Sequence, residues 1–352
     1  MLEQETARQL PTPGRRFESF RGLWSPMKVV LQLTYPFILF AALTACDTSK
    51  SLDIKKTFAH ITASESILDL QSHPAFSGFG QYLLPWDNRA YDKKLLLKDI
   101  STLLPYHSHV DTDAVIAPIN HLIDEVNVGK IIFYDFYTVQ QKQEDPSKEN
   151  TGLFFFRGRP GAPVAILCPG GGFSYVGSLH EGFPHALQLC NQGYNAFVLK
   201  YRVGSQQLAT ADLAAAISYI FENAEMFEVS TEDYSLWGSS AGARMVASIG
   251  SYGTSAFNGD DLPKPGTVVM AYTGHSDYST GEPPTFVVVG ENDGIASPST
   301  MERRVNALRK AGVKVEFHKY KNLGHGFGLG IGTSAEGWIE DAIRFWESNR
   351  SE

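Results

Sequence analysis

From about residue 128 onward, the sequence alternates between short runs of β-branched and aromatic residues and longer segments in which apolar residues recur at helical spacing. Several of the short runs lead directly into glycine-containing turns, as residues 163–168 and 285–290 do. Strands that alternate with helices favour a parallel sheet that is covered by helices on both faces. The chain is therefore predicted to be an α/β protein with a mostly parallel central sheet.

The individual elements follow from the same periodicities. The series opens with two strands on either side of a polar segment and then alternates between strands and helices. The predicted strands are residues 128–137, 153–157, 163–168, 196–201, 234–237, 267–272, 285–290 and 313–320. The predicted helices are residues 179–192, 210–227, 241–249, 298–311 and 335–347, and Thr210 is expected to cap the second of them.

Composition limits the classes of function. Of the 352 residues, 43% are apolar and 19% are charged, which permits a large buried core and is not typical of a disordered chain. The net charge is -8 and no long basic stripe is present, so nucleic acid is not an expected partner. The three cysteines, Cys46, Cys168 and Cys190, are too few for a disulfide scaffold and lack the Cys-x-x-Cys spacing of zinc sites.

A glycine-flanked serine lies between a predicted strand and a predicted helix. Residues 238–242 read Gly-Ser-Ser-Ala-Gly and match Gly-x-Ser-x-Gly, a tight turn that exposes the serine at a helix N-terminus. The helix dipole favours negative charge at that point, and the turn leaves no room for side chains beside the serine. Ser240 is therefore the predicted nucleophile.

A second glycine cluster follows the predicted strand 163–168. It reads Pro-Gly-Gly-Gly-Phe at residues 169–173, and a backbone without side chains can turn its N–H groups toward a ligand oxygen. In acyl transfer, donors of this kind stabilise the oxyanion. A purely structural turn is the alternative, and a phosphate-binding loop is not favoured because no Gly-Lys-Ser/Thr follows.

An acid and a base come later in the chain. Asp293 follows the predicted strand 285–290, and His325 lies in a glycine-containing loop after the predicted strand 313–320. A serine hydroxyl needs an adjacent base, and the imidazole needs a carboxylate that fixes its tautomer. The order serine, aspartate, histidine is that of the α/β-hydrolases.

Other titratable residues compete for these roles. Glu291 lies two residues before Asp293 and is the alternative acid. His180 and His185 follow the glycine cluster and could lie at the rim of the site, and His275 could line its pocket. A structural or surface role is the more usual one for such histidines.

Residues 150–348 resemble the α/β-hydrolase superfamily, and most closely its acetyl-esterase and carbohydrate-esterase-like branch. Some similarity to prolyl oligopeptidase catalytic domains is also present. The resemblance rests on four segments, residues 169–173, 238–242, 290–293 and 324–327. It implies the α/β-hydrolase fold with a small N-terminal extension.

The resemblance also implies roles for individual residues. Ser240, Asp293 and His325 would form the catalytic triad. The backbone N–H groups of three residues would form the oxyanion hole, namely Gly171, Gly172 and Ala241.

The sequence departs from the hormone-sensitive-lipase-like branch at two positions. Pro169 stands where that branch has a histidine before its three glycines, and Ser239 replaces the aspartate often found before the nucleophile. Both departures weaken the transfer of a substrate preference to this chain.

The motifs together predict a serine hydrolase that cleaves carboxylic esters of small acyl groups, and acetylated sugars are a candidate substrate class. The predicted chemistry requires no metal and no cofactor. Two alternatives remain open. One is a peptidase of the prolyl-oligopeptidase kind, although the residues before 150 are too few to form a β-propeller. The other is a lipid-anchored binding protein with a vestigial triad.

The N-terminus carries a predicted export signal. Residues 29–43 are mostly apolar, follow Lys28 and are fewer than the roughly 20 residues that span a bilayer. The Leu-Thr-Ala-Cys sequence at residues 43–46 resembles the bacterial lipobox, which implies a lipid on Cys46 and attachment to a membrane surface. The predicted location is the bacterial cell envelope, facing outside the cytoplasm. An uncleaved anchor helix and a cytoplasmic protein are the alternatives.

Three regions are therefore predicted. Residues 1–46 form the signal and lipobox, with Met27 as the favoured start. Residues 47–127 form a tether and an N-terminal extension that packs on the core. Residues 128–352 form the catalytic domain.

Overall fold

A computed structural model describes residues 57–87 and 89–351 of the chain. The predicted signal and lipobox, including Cys46, lie outside the described residues. Within the described ranges, no helix combines the length and the apolar character needed to cross a membrane.

Eight strands of the described residues form one sheet. They are β1 (Phe133–Tyr134), β2 (Gly152–Phe156), β3 (Pro163–Cys168), β4 (Asn195–Lys200), β5 (Ser230–Ser239), β6 (Thr267–Ala271), β7 (Thr285–Gly290) and β8 (Val315–Tyr320). Their spatial order is β1-β2-β4-β3-β5-β6-β7-β8. Strand β2 pairs antiparallel with both β1 and β4, and all other neighbours are parallel. The predicted mostly parallel sheet is confirmed.

Helices cover the sheet on both faces. They are α1 (Ile67–Gln71), α2 (Thr112–Asn127), α3 (Val139–Glu144), α4 (Phe183–Asn191), α5 (Gln206–Glu222), α6 (Ala224–Phe227), α7 (Ala241–Tyr252), α8 (Pro298–Lys310) and α9 (Trp338–Glu347). Helix α4 contacts α2 and α9 in one layer, whereas α5 contacts α7 in the other.

Most inner strands are buried along their whole length, as parallel strands covered on both faces should be, and β5 is buried over its last six residues. Every residue of β2, β3, β4, β6 and β7 is buried, whereas the edge strand β8 is only partly buried. The N-terminal portion contributes to the same hydrophobic core, in which Ile67 and Ile100 are fully buried. Residues before the first strand are thus packed into the body of the fold.

Strand β1 is shorter than predicted. Residues 128–137 have strand-like composition, but only Phe133 and Tyr134 pair with β2. Val128 and Ile131 are 65% and 64% exposed, respectively, so their apolar side chains gain no burial from a sheet neighbour. Composition cannot show how many residues of an edge strand find a partner.

Helix α5 begins four residues earlier than predicted. Ser205 has extended backbone angles, and its hydroxyl accepts a hydrogen bond of 3.2 Å from the N–H of Leu208, which makes it the N-cap. Thr210 lies within the helix, where its hydroxyl donates to the carbonyl of Gln206 at 2.8 Å. The prediction of Thr210 as the cap was wrong because a serine upstream fulfils that role.

Candidate active site

The turn between β5 and α7 holds Ser240 in an unusual backbone conformation. Its φ is +49° and its ψ is -109°, which is costly for a residue with a side chain. A Cβ atom on Gly242 would lie 1.8 Å from the carbonyl oxygen of Cys168, and one on Gly238 would lie 2.5 Å from the carbonyl oxygen of Gly242. Gly242 therefore permits the close contact with β3, and Gly238 permits the tight turn into α7.

The structure brings Ser240, His325 and Asp293 together. The Nε2 atom of His325 lies 2.9 Å from the Ser240 hydroxyl, and its Nδ1 atom lies 2.7 Å from Oδ2 of Asp293. A carboxylate only accepts hydrogen bonds, so Nδ1 donates to Asp293 and Nε2 is left to accept from the serine. This tautomer is the one that a general base requires.

Backbone donors hold the Asp293 carboxylate in place. Its Oδ1 atom accepts hydrogen bonds of 2.9 Å from Ile295 and 2.7 Å from Ala296, which leaves Oδ2 for His325. The alternative acid, Glu291, is exposed at the start of the same loop. The geometry therefore selects Asp293 over Glu291 as the partner of His325.

The glycine cluster lies directly against the serine. A Cβ atom on Gly170 would lie 2.9 Å from the Cβ of Ser240. Gly171 and Gly172 have φ angles of +130° and +63°, in the region that side chains disfavour. Ala241 is the first residue of α7, so its N–H has no acceptor within the helix.

A buried carboxylate that the sequence did not single out lies behind this loop. Oε2 of Glu181 accepts a hydrogen bond of 2.6 Å from the N–H of Gly170, and Oε1 lies 3.1 Å from Nε2 of His107. Burial acts to raise the pKa of Glu181, but His107, the charge of His180 and a hydrogen bond with Tyr272 together outweigh it and lower that pKa to about 2. The sequence signal for Glu181 was its acidic side chain within an otherwise apolar segment.

A tyrosine that sequence reasoning missed packs against His325. The rings of Tyr272 and His325 lie 5.1 Å apart, edge to face. Tyr272 has a φ of +37°, and its hydroxyl accepts a hydrogen bond of 3.3 Å from the N–H of Gly328. The positive φ of Tyr272 is a strained backbone conformation that the sequence does not reveal and only the folded chain shows.

The three other histidines that the sequence suggested for the site are shielded from solvent, His180 and His185 fully and His275 in part. His180 and His185 are only 4% and 2% exposed, so neither lies at an open rim. Burial lowers the pKa of His180 to about 3 and the pKa of His185 to about 4. His275 lines a small cavity with Met301 and Arg304, and burial lowers its pKa to about 4 as well.

Two family models match the parts of the chain that form this site. The family model described as BD-FAE matches residues 157–266, which include Ser240 and the glycine cluster. The model of the prolyl oligopeptidase family matches residues 258–350, which include Asp293 and His325. Residues 106–108, which supply His107, lie outside both matches.

A curated relative is the acetylxylan esterase of Xylanibacter ruminicola. It is 22% identical to this chain over 207 residues, which are 50% of this chain and 43% of the relative. The chain therefore matches less than half the length of that protein.

Solved structures with the same fold include two hydrolases. An acetyl ester-xyloside bifunctional hydrolase from Caldicellulosiruptor lactoaceticus has a TM-score of 0.54 and 21% identity, covering 61% of this chain and 95% of its own. A thermophilic esterase from Thermogutta terrifontis has a TM-score of 0.53 and 17% identity, covering 61% and 91%, respectively. The predicted α/β-hydrolase fold is confirmed.

Proposed function

We propose that the chain is a serine esterase that cleaves carboxylic esters of small acyl groups through an acyl-enzyme on Ser240. The observation that carries this proposal is the hydrogen-bonded series Ser240, His325 and Asp293, set beside a glycine loop. A serine alone is a weak nucleophile near neutral pH, and this arrangement activates it.

The first half of the reaction forms the acyl-enzyme. His325 accepts the Ser240 proton through Nε2 while the serine oxygen attacks the ester carbonyl carbon. Asp293 stabilises the imidazolium that results. His325 then gives the proton to the leaving alcohol, and the bond between the carbonyl carbon and the alcohol oxygen breaks.

Backbone N–H groups stabilise the negative charge on the carbonyl oxygen during both halves. The proposed donors are Ala241, Gly171 and Gly172. Removal of one such donor typically costs about 10²–10³ in rate. Water then attacks the acyl-enzyme by the same route, with His325 as the base, and releases the acid and free Ser240.

Acetylated sugars are the proposed natural substrates. The acetylxylan esterase relative and the acetyl ester-xyloside hydrolase structure support this choice by what their names state. Two clefts of the described surface, with volumes of about 320 and about 370 Å³, are lined by residues other than Ser240. The acyl group is proposed to bind beside Gly172, which is exposed and lies within the glycine cluster that contacts Ser240.

A peptidase activity is the second candidate. The match of residues 258–350 to the prolyl oligopeptidase family favours it. A proline-containing peptide amide and its ester analogue distinguish the two functions, because an esterase cleaves only the ester at a useful rate.

Attachment to a membrane through a lipid on Cys46 is proposed alongside the chemistry, with the protein facing outside the cytoplasm. The support is the lipobox-like sequence alone. Membrane fractionation of wild type and Cys46→Ala tests it, since loss of the lipid should release the protein from the membrane fraction. Equal distribution of the two would contradict it.

The test of the reaction compares wild type with Ser240→Ala. The purified proteins are treated with a fluorophosphonate probe and assayed with p-nitrophenyl acetate and butyrate. Wild type should label once per chain and turn over both esters, and the variant should do neither. A wild-type protein that neither labels nor turns over would favour the binding-protein alternative with a vestigial triad.

A further inference from the structure

A short segment of the N-terminal portion connects the two loops of the proposed site. Residues 106–108 lie between the glycine cluster and the loop that carries His325. The N–H of Ser108 donates to the carbonyl of Gly326 at 2.9 Å, and the N–H of Tyr106 donates to the Tyr175 hydroxyl at 3.2 Å. The segment is thus attached to both sides of the site.

His107 occupies the centre of this segment. Its side chain is 1% exposed and that of Glu181 is 0% exposed. The Tyr175 hydroxyl lies 2.8 Å from Nδ1 of His107, which leaves Nε2 directed toward Glu181. Among the described residues, His107 is the basic side chain that forms an ion pair with this carboxylate.

Glu181 in turn fixes one peptide of the glycine cluster. Its Oε2 atom accepts from the N–H of Gly170, and the carbonyl of Gly170 accepts from the N–H of Gly177 at 2.9 Å. The imidazole of His107 also packs beside this second hydrogen bond. A Cβ atom added to Gly177 would lie 2.8 Å from Nε2 of His107. The N–H and the carbonyl of Gly170, which belong to the peptide groups on either side of it, are therefore both held by groups that pack on His107.

We propose that His107 is a positioning residue for the glycine cluster. It acts through the buried carboxylate of Glu181, which holds the N–H of Gly170. The position of Gly170 in turn sets the orientation of the N–H groups of Gly171 and Gly172. The inference rests on the proposed esterase function. It assigns an essential part of the site to the N-terminal portion, which neither family match covers.

The physical reason is the cost of a buried charge without a partner. A carboxylate that loses its ion-pair partner in a buried site turns toward other donors or takes up a proton. Either response releases or reorients the N–H of Gly170, and the next two peptides move with it. A misplacement of about 1 Å in such a site can cost about 10²-fold in rate.

This role predicts a specific kinetic pattern. Oxyanion contacts strengthen in the transition state, so their disturbance lowers kcat and leaves the KM nearly unchanged. For His107→Gln we expect kcat to fall about 10–100-fold and KM to change less than about twofold. A merely structural role would instead lower the folded fraction and leave the kcat of each intact site unchanged.

The experiment is a double-mutant cycle on the full chain. Wild type, His107→Gln, Glu181→Gln and the double variant are assayed with p-nitrophenyl acetate, and kcat is divided by the endpoint stoichiometry of fluorophosphonate labelling. His60→Gln is the matched control, because His60 pairs with Asp124 at 2.7 Å in the same portion but is 52% exposed. Its kcat should equal that of wild type.

If His107 acts through Glu181, the double variant should be no slower than the slower single variant. A double variant whose loss is the product of the two single losses would overturn the proposal, as would a kcat of His107→Gln within twofold of wild type. Should His107→Gln fail to fold, Tyr175→Phe removes the hydroxyl that orients the imidazole and that also accepts from the N–H of Tyr106. Its kcat should fall about fivefold, and an unchanged value would also overturn the proposal.

Failure of this inference is distinct from failure of the proposed function. An inactive wild-type protein contradicts the esterase proposal itself. An active wild type with an equally active His107→Gln variant contradicts only the role of His107.

Discussion

The hydroxyl of Ser108 donates a hydrogen bond of 2.7 Å to the backbone carbonyl of His325, although 217 residues separate the two in the sequence. The neighbouring carbonyl of Gly326 accepts two further contacts, from the N–H of Ser108 at 2.9 Å and from the ring of His180 at 3.0 Å. The loop of the proposed base is thus held both by Ser108, which precedes the first strand, and by His180, which lies between β3 and α4.

Replacement of Ser108 by alanine should weaken this loop. One hydrogen bond of this kind contributes roughly 1 kcal/mol to the free energy of unfolding. We expect Ser108→Ala to lose about that amount in urea denaturation and to lower kcat/KM about threefold to tenfold, because the loop also positions His325. Ser64→Ala is the control, since Ser64 contacts Thr62 at 2.9 Å on the exposed surface. Equal effects of the two variants would contradict a role in the site.

Replacement of Asp293 by asparagine should cost far more activity than stability. The amide can still hold the imidazole, but it favours the wrong tautomer, which in serine proteases lowers kcat by about 10⁴. We expect a loss of about 10³–10⁴ for Asp293→Asn in ester hydrolysis. Glu291→Gln, two residues away and exposed, should retain wild-type turnover. A severe loss in the Glu291 variant instead would identify it as the acid.

Gly242 should not tolerate alanine. The added Cβ would lie 1.8 Å from the carbonyl oxygen of Cys168, so β3 and α7 would have to separate. We expect the free energy of unfolding to fall by at least about 4 kcal/mol, or the chain not to fold. Gly294→Ala is the matched control because no heavy atom lies within 4 Å of its added Cβ. Similar denaturation midpoints for the two variants would show that the close contact is not required.

Tyr106 should influence which esters are bound. Tyr106 is 41% exposed, and its ring stacks on Tyr175 at 5.7 Å and would lie 3.0 Å from a Cβ atom on Gly172. We expect Tyr106→Ala to raise the KM for acetylated xylosides about fivefold through loss of roughly 1 kcal/mol of apolar contact. Tyr106→Phe keeps the ring and should retain the wild-type KM. An unchanged KM in the alanine variant would place the substrate elsewhere.

Acid should destabilise the folded chain because burial lowers the pKa of three of its histidines. Burial lowers the pKa of His180 to about 3 and the pKa values of His185 and His275 to about 4, from an ordinary value of 6.5. Below pH 6.5 the unfolded chain therefore binds protons that the folded chain does not. The free energy of unfolding must then fall as the pH falls from 6.5 toward 4, by roughly 1 kcal/mol per pH unit for each histidine.

Thermal unfolding between pH 7 and pH 4.5 measures this dependence. His185→Gln should reduce the slope of Tm against pH, because one of the three buried imidazoles is removed. The same change at His60, which is 52% exposed, should leave the slope as it is. A Tm that stays constant from pH 7 to pH 5 would rule out this origin of acid sensitivity.

The sequence was sufficient for the parts of the site that depend on local patterns. Ser240, Asp293 and His325 each follow a strand, and the carboxyl ends of parallel strands meet at one edge of a sheet, so their order predicted their proximity. His107 and Ser108 reach the site through contacts with residues far along the chain. No periodicity marks such contacts, and their segment has an irregular composition.

The boundaries of strands and helices were less predictable, because they too depend on contacts with distant parts of the chain. The composition of residues 128–137 suits a strand, but Val128 and Ile131 have no neighbouring strand to bury them. The start of α5 depended on which of several hydroxyl residues is extended enough to cap it, and Ser205 has that conformation. Both outcomes are decided by tertiary neighbours rather than by propensity.

The distance in sequence between Ser240 and His325 has a consequence for the newly made protein. The two are 85 residues apart, and ribosomes add about 5–20 residues per second, so roughly 4–17 s pass between their synthesis. During that interval the elbow serine has no imidazole to take its proton. Under the proposed mechanism, a chain still being translated lacks its base, and hydrolysis would begin only after the loop that follows β8 has been made and has docked onto Ser108.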